Sequence, residues 1–344
     1  MKFSAVIQYL RAVAAIMVLC YHVVLHWIPE QKPHYLFLSG GVDIFFVISG
    51  FVMWSLTAGR EGGAWDFFSR RLKRIVPLYW LMTTAMLVVL VVLPGATLTS
   101  KFDLGHVVSS YLFIPAIHPV KGTFEPLLFP GWTLNYEMFF YVLITLALLG
   151  PMRFRLALIL IPLAGLTAMG LIPHSDRSLV AFYSNSLLAE FGMGCVLGAL
   201  LEKDLAERAP PWAGVAMIGL AIAAFFGLAQ VPGLARGFAW GVPAALFVSG
   251  WVFNERARGT ARWPLVQLLG DASYAIYLSH VIVLSALFQI AHRFVRSVPA
   301  EIGASVVITL TCITVGVGVY WFVEKPIINW FKTPRLKPAV AAAE

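Results

Sequence analysis

The sequence predicts an all-α protein, a polytopic bundle of about ten transmembrane helices with both termini in the cytoplasm. Three observations predict it. The 344 residues are 60% hydrophobic and only 12% charged, where soluble domains are nearer about 25% charged, and the mean hydropathy is +0.82. Apolar runs of roughly twenty residues, the length that crosses a hydrocarbon core as helix, recur along the whole chain. The basic residues fall mainly in the gaps between these runs and are biased to alternate gaps.

The first run has only Lys2 ahead of it, continues to about Trp27 and contains Arg11. It is too long for the core of a signal peptide and lacks a convincing cleavage site, so it reads as a retained span over 6–27. The remaining spans are expected at 36–57, 76–94, 131–149, 155–173, 183–201, 211–229, 236–253, 269–290 and 302–323. Four stretches, Ile75 to Ser100, Leu156 to Pro173, Ala209 to Ala235 and Ile302 to Val323, reach spanning length without one charge.

Ten spans place both termini on one side. That side holds 17 of the 25 Lys and Arg residues, the other holds 7, and Arg11 lies within a span. The bias makes the terminal side cytoplasmic. The net charge of +8 therefore reports loops facing anionic lipid. It does not point to nucleic acid, because the cations are scattered through short loops. Residues 1–330 read as one transmembrane domain. The tail 331–344, basic and then Ala-rich, is expected to lie on the inner surface and fray. The longest loop, 95–130, faces outward. Its apolar run Val107 to Pro115 is too short to span, so the loop can be re-entrant, a lid or a plain surface loop. Cys20, Cys195 and Cys312 lie in separate apolar segments and suggest neither a disulfide nor a zinc site.

An ionisable group at membrane depth is costly and is therefore a functional candidate. Arg11 and His22 are 11 positions apart, which places them within ~20° of one helix face and ~16 Å apart along it. His22, Asp43 and Glu137 each fall roughly 7–9 Å below the outer edge of their spans, a shared level from which they can line one polar cavity. A His beside a carboxylate makes a general-base pair; the competing reading is a polar network that only joins helices. His280 lies near mid-depth of the ninth span. His26, one turn beyond His22, fits the interface with Trp27 better than a metal site, since no third ligand is evident. On the cytoplasmic side, Arg70, Arg71, Lys73 and Arg74 crowd five positions. They can clamp phosphates or act as a topogenic cluster on lipid headgroups. Together the sites suggest a polyanionic nucleotide donor docked at these cations, with a thin arm reaching ~16 Å past Arg11 to His22. Coenzyme A has that shape, with a thioester at the end of its arm.

At these residues the chain resembles the membrane-bound acyltransferase 3 family of bacteria. Gln8-Tyr9-Leu10-Arg11 through Tyr21-His22 is similar to its Arg-x10-His signature. Gly41-Val42-Asp43-Ile44-Phe45-Phe46-Val47-Ile48-Ser49-Gly50 resembles its second-span motif, and Arg71-Leu72-Lys73-Arg74 its Arg-x-x-Arg motif. Trp132-Thr133-Leu134-Asn135-Tyr136-Glu137, Ser273-Tyr274-Ala275-Ile276-Tyr277-Leu278-Ser279-His280 and Glu324-Lys325-Pro326 resemble its later motifs. Six motifs in order, over about 5–330, make the resemblance specific. The Ile-Gln-Tyr-Leu-Arg opening and the stretch from Gly131 to Glu137 look most similar to the exopolysaccharide-production branch.

The resemblance implies an O-acyltransferase of the bacterial inner membrane. Its donor would be cytoplasmic acyl-CoA, acetyl-CoA above all, and its acceptor a hydroxyl of a polysaccharide or lipid-linked sugar, often outside. His22 would be general base or transient acyl carrier, with Asp43 and Glu137 orienting or lining the site. Arg11 would orient the donor, and Arg70, Arg71 and Arg74 would hold its phosphates. Trp132, Tyr277 and His280 would line the acceptor cavity. No metal is implied. Some relatives carry an added extracytoplasmic hydrolase-like domain; this length offers no counterpart, so acceptor transfer would fall to the membrane part or a partner. The competing function is a transporter or glycan flippase with a charged path. The sequence does not specify oligomeric state.

Overall fold

The computed structural model describes residues 5–28, 36–59, 63–93, 101–172, 175, 177–202, 209–228, 231 and 233–332. The tail beyond 332 lies outside these residues, as do Lys2, Lys32, Arg60, Lys203, Arg208, Arg335 and Lys337 of the charge count.

The described chain is helical throughout, with a single isolated β-bridge between Ile117 and Phe124. Helix α1 runs Ala5–Trp27. A 3-10 turn, Phe37–Gly40, leads into α2, Gly41–Thr57. Then come α3, Ala64–Val92; the short α4, Leu104–Tyr111; and α5, Gly131–Leu149. After a 3-10 turn at Met152–Phe154 the chain forms α6, Arg155–Met169, followed by α7, Leu179–Tyr183, and α8, Leu187–Leu201. Helix α9 is Ala213–Gly227. A π-turn, Gly237–Gly241, runs straight into α10, Val242–Arg258. The short α11, Pro264–Asp271, precedes α12, Ser273–Phe294. The last stretch is α13, Val298–Val319, a second π-turn, Tyr320–Glu324, and α14, Lys325–Trp330.

Among the described residues, eight helical stretches are long and apolar enough to cross a membrane. The expected spans at 211–229 and 236–253 correspond to α9, only 15 residues long, and to the π-turn with α10, whose end carries Glu255, Arg256 and Arg258. The third span starts at Ala64, not at 76, so the Arg cluster sits inside a helix. Arg, Lys and Leu are good helix formers, and an apolar-run criterion does not register a helix that extends beyond its apolar part. The same reason carries the last span on to Trp330.

Helix α1 is central, touching α2, α10, α11, α12 and α13. Its Val6, Leu10, Ala14, Val18 and Leu19 are buried. Large apolar side chains are exposed on the periphery instead, among them Val91 and Val92 of α3, Ile161 of α6, Leu220 of α9 and Val307 and Leu310 of α13. A water-soluble protein rarely exposes so much apolar surface, whereas in lipid it is the solvated surface. Helices α2 and α8 cross most closely. A Cβ on Gly50 would collide with the Phe191 carbonyl, and one on Gly194 with the Val47 carbonyl. Two glycines facing each other let these backbones touch, as small residues do between membrane helices.

The 101–130 segment is a packed lid. Asp103 caps α4 by accepting the His106 N–H at 2.7 Å, and His106 Nε2 donates to the Glu125 carbonyl at 2.8 Å. Ser110 Oγ accepts the Leu127 N–H at 2.9 Å, and the Ser110 carbonyl accepts the Tyr79 hydroxyl at 2.9 Å. Trp80 Nε1 donates to the Tyr111 carbonyl at 2.8 Å. These bonds pin the loop to the outer part of α3. Its tip is organised by His118, whose Nδ1 accepts the N–H groups of Val120 and Lys121 at 3.2 and 3.3 Å.

Two outcomes follow from this packing. Gly50→Ala forces the α2–α8 crossing apart and is expected to cost about 1–3 kcal/mol, read as a lower melting temperature of the solubilised protein; an unchanged one would refute the close crossing. Burial, then the neighbouring His106 and Lys121, holds His118 below the ordinary imidazole pKa. The fold therefore prefers the neutral ring. This stabilisation is complete above the ordinary value of about 6.5 and is lost as pH falls through the lower folded value. Amide protection of Val120 and Lys121, corrected for intrinsic exchange, should fall on acidification through that window; constant protection counts against the His118 anchor.

Candidate active site

Two cavities lie one above the other along α1. The inner one, with about 850 Å³ of empty space, is lined by Arg11, Arg71, Arg74, Ser49, Glu137, Tyr141 and Tyr274 among apolar side chains. The outer one, with about 860 Å³, is lined by Tyr21, His22, Glu125, Phe129, Trp132, Arg236 and His280 among others. Val42 and Tyr277 border both. The Tyr277 hydroxyl is held by Thr133 Oγ1 at 2.8 Å and by the Pro130 carbonyl at 3.3 Å. Tyr277 and Val42 thus stand in the wall between the cavities.

The inner cavity is a charge cluster. Arg71 and Arg74 are three residues apart on α3, hence on one face. Arg74 Nη1 is bonded to Glu324, which is 1% exposed. Its guanidinium lies 5.7 Å from the Tyr274 ring centroid. Glu137 accepts from the Tyr141 hydroxyl and, at 3.4 Å, from Ser49 Oγ. Arg11 lies within electrostatic reach of Arg74, Glu324 and Glu137. Three guanidinium groups thus face two carboxylates, and Arg71 Nε has no partner among the described residues. An excess of buried donors is suited to a phosphate or another anion. Arg70 lines neither cavity and is exposed.

The outer cavity is built around two imidazoles. His22 Nδ1 lies 2.8 Å from the Val18 carbonyl. A carbonyl only accepts, so Nδ1 carries the hydrogen and Nε2 keeps its lone pair. No carboxylate is needed to set this tautomer. The His280 ring is 5.0 Å away, centroid to centroid, and Phe129 lies edge-on to His22 at 5.7 Å. The 101–130 lid supplies Thr123, Phe124, Glu125, Phe129 and Pro130 to the wall. His26 turns aside, stacked on Phe288 at 4.2 Å next to Trp27, whose Nε1 donates to Ser305. Among the described residues no cluster of His, Cys, Asp and Glu is placed to hold a metal ion.

The expected shared level of His22, Asp43 and Glu137 is not observed. Glu137 meets Ser49, six residues beyond Asp43 on α2, a depth of ~9 Å along the helix. Helices α2 and α5 are therefore shifted along their axes relative to one another. Asp43 is completely buried and lines neither cavity. It accepts from Arg236 Nη2 at 2.6 Å, and that nitrogen also donates to the Ser39 carbonyl at 3.1 Å. Glu190 closes the cluster, within electrostatic reach of Asp43 and Arg236 and packed against Gly241 of the π-turn. Trp132, Tyr277 and His280 do meet around the outer cavity.

Sequence reasoning missed Arg236, Glu190 and Tyr141, and met Ser49 and Glu324 only within motifs. Arg236 counted as an outer-loop cation. Glu190 sits inside an apolar run, so the rule that selected Asp43 also selects it. Tyr141 and Ser49 carry no such signal, since hydroxyls are common in membrane helices.

Comparison with known proteins bears on what such a pair of cavities does. A family profile described as an acyltransferase domain matches residues 5–321. The chain is 33% identical over 318 residues to the exopolysaccharide production protein ExoZ of Rhizobium meliloti, covering 92% of this chain and 98% of that protein. It is 27% identical over 370 residues to the putative peptidoglycan O-acetyltransferase YrhL of Bacillus subtilis. It is 26% identical over 360 residues to the O-acetyltransferase OatA of Staphylococcus aureus. These two alignments cover 92% of this chain but 54% and 56% of those proteins, so the chain spans just over half their length. No solved structure matches.

Removing one partner of a buried pair leaves the other charge uncompensated. Arg74→Ala strands Glu324 and is expected to destabilise the protein by about 3 kcal/mol, the lower end of the range because Arg74 is partly exposed. Arg74→Ala with Glu324→Gln should regain most of it. Thermal unfolding of the four proteins tests the pair, and strictly additive losses would contradict it.

Proposed function

The chain belongs to the acyltransferase 3 family, as a membrane O-acetyltransferase, and on that premise we propose that it moves an acetyl group from cytoplasmic acetyl-CoA to a hydroxyl of an extracytoplasmic or lipid-linked polysaccharide. The observation that carries the reading is the stacking of an Arg-lined cavity below a His-lined one, divided at Tyr277. An anionic donor with a reactive thioester tip and a neutral sugar acceptor need these two environments in this order. The positive-inside bias puts the Arg end at the cytoplasm of a bacterial inner membrane. The 98% coverage of the exopolysaccharide production protein favours an exopolysaccharide acceptor.

In this reading Arg71 and Arg74 receive donor phosphates, with Arg70 at the cytoplasmic approach. Arg11 steers the arm past Tyr277, about 16 Å short of His22 along α1. Glu137 balances Arg11 and Arg71, keeping the passage from trapping the anion. The acceptor hydroxyl enters the outer cavity against Trp132. His22 Nε2, bare and facing the cavity, takes its proton as general base. Asp43 acts through Arg236, which it holds at the cavity edge beside the reacting carbonyl. A fixed cation there favours the oxyanion of the tetrahedral intermediate.

Purified protein in lipid, labelled acetyl-CoA and a polysaccharide acceptor test the reading. Wild type should transfer label, and His22→Ala should lose about 10²-fold or more of the rate with an unchanged melting temperature. Acceptor movement by wild type without label transfer would make it a transporter. A His22→Ala protein that no longer accumulates would make the polar set helix glue.

A further inference from the structure

His280 is 1% exposed and borders the outer cavity. Its Nδ1 lies 2.6 Å from the Tyr277 carbonyl and so carries the hydrogen. Its Nε2 is therefore a bare acceptor, and it has no partner among the described residues. Leaving such an atom unsatisfied in a bundle core costs free energy. The neighbouring ring, His22, is in the same tautomer, held the same way by its own helix. Two imidazoles that border one cavity, 5.0 Å apart and inclined by 59°, each keep a bare Nε2, and neither can donate to the other. What the pair lacks is one proton.

The remaining candidates for receiving that proton are engaged elsewhere. Asp43 is bonded to Arg236, and Glu137 is in the other cavity. Glu125 of the lid is bonded by Lys121 at 2.7 Å and Thr123 at 2.9 Å. Tyr277 is bonded to Thr133, and His26 lies outside the cavity lining, stacked on Phe288. Of the other ionisable groups lining the cavity, Tyr21 carries no charge near neutral pH, and Arg236 is a fixed cation that opposes a second positive charge. The pair is thereby limited to a single proton.

We propose that His280 Nε2 shares the proton that His22 takes from the acceptor, so that the two imidazoles act as one base. The inference rests on the acyl-transfer reading above. The acceptor oxygen bonds to the thioester carbonyl carbon as its proton passes to His22 Nε2. While the tetrahedral intermediate exists, that proton is held between His22 Nε2 and His280 Nε2. The carbon–sulfur bond then breaks, sulfur keeps the electron pair, and the proton is returned to it. Hydroxyl and thioester become ester and thiol, and both rings end neutral in their starting tautomers.

The test uses the full chain in lipid, with acetyl-CoA and a polysaccharide, and reads the pH profile of kcat/KM together with kcat. Without an acceptor at position 280 the protonated form of His22 loses support. His280→Phe should therefore lower kcat by about 10²-fold and move the acidic limb to lower pH. His280→Gln, whose side-chain carbonyl still accepts, should regain part of both. A wild-type kcat and limb in His280→Phe overturn the proposal, as does a lowered kcat with the limb unmoved, the mark of a lost wall contact. If His280→Phe does not accumulate, His280→Gln decides alone, and a limb identical to wild type overturns it. Absence of label transfer by wild type instead sinks the acyl-transfer reading itself.

Discussion

Hydrocarbon does not solvate charge, and the arrangement of this bundle follows from that. A guanidinium or carboxylate at membrane depth needs a counter-charge, a hydrogen-bond partner or a wet cavity. Arg74 has Glu324, Arg236 has Asp43 and Glu190, and Glu137 has Tyr141 and Ser49. These pairs join helices distant in sequence: α3 with the second π-turn, α2 with the first π-turn and α8, α5 with α2. Apolar packing between membrane helices is weakly directional, because lipid tails are as apolar as leucine. The polar pairs and the glycine crossing of α2 and α8 supply the specificity that packing alone does not.

The same constraint sorts the interior into two environments. Where cations exceed carboxylates, around Arg11 and Arg71, there is unspent capacity for an anion. Around His22 and His280, where the lining guanidinium of Arg236 is paired with Asp43, there is capacity for a proton and little net charge. Tyr277 and Val42 mark the boundary, and Tyr277 is fixed by a neutral hydroxyl pair that ties down no charge. A site that handles a polyanionic carrier at one end and a neutral sugar at the other gains from keeping these regions apart.

Most of the fold was legible in the sequence because apolar run length and cation asymmetry act over whole spans. The ends were less legible. The apolar pattern stops at Ile75 although the helix starts at Ala64, since a helix that leaves lipid keeps its backbone bonds while its composition changes. The site was legible as a set of residues and not as a set of neighbours. Arg11, Arg71 and Arg74 do share a cavity, and His22 is joined by Trp132, Tyr277 and His280. Asp43 and Glu137 part company with His22, because spacing within one helix says nothing about how far a neighbouring helix is shifted along its axis. Arg236 was hidden for the same reason: a cation near a span's end looks like any other until the π-turn directs it inward.

The two π-turns, Gly237–Gly241 and Tyr320–Glu324, have a consequence for how such a chain can vary. Each holds an extra residue, one at the start of α10 and the other between α13 and α14, and each adjoins a paired charge, Arg236 at the start of one and Glu324 at the end of the other. One residue is about 100° of helix rotation. Deleting a residue at either turn would leave span length, hydropathy and topology almost untouched, yet swing the adjoining charge out of phase with the rest of the helix. Insertions and deletions at these two places are therefore silent to any measure of membrane integration and decisive for the chemistry. The phase of a helix, set by a single residue, is here as much a part of the two cavities as the side chains that line them.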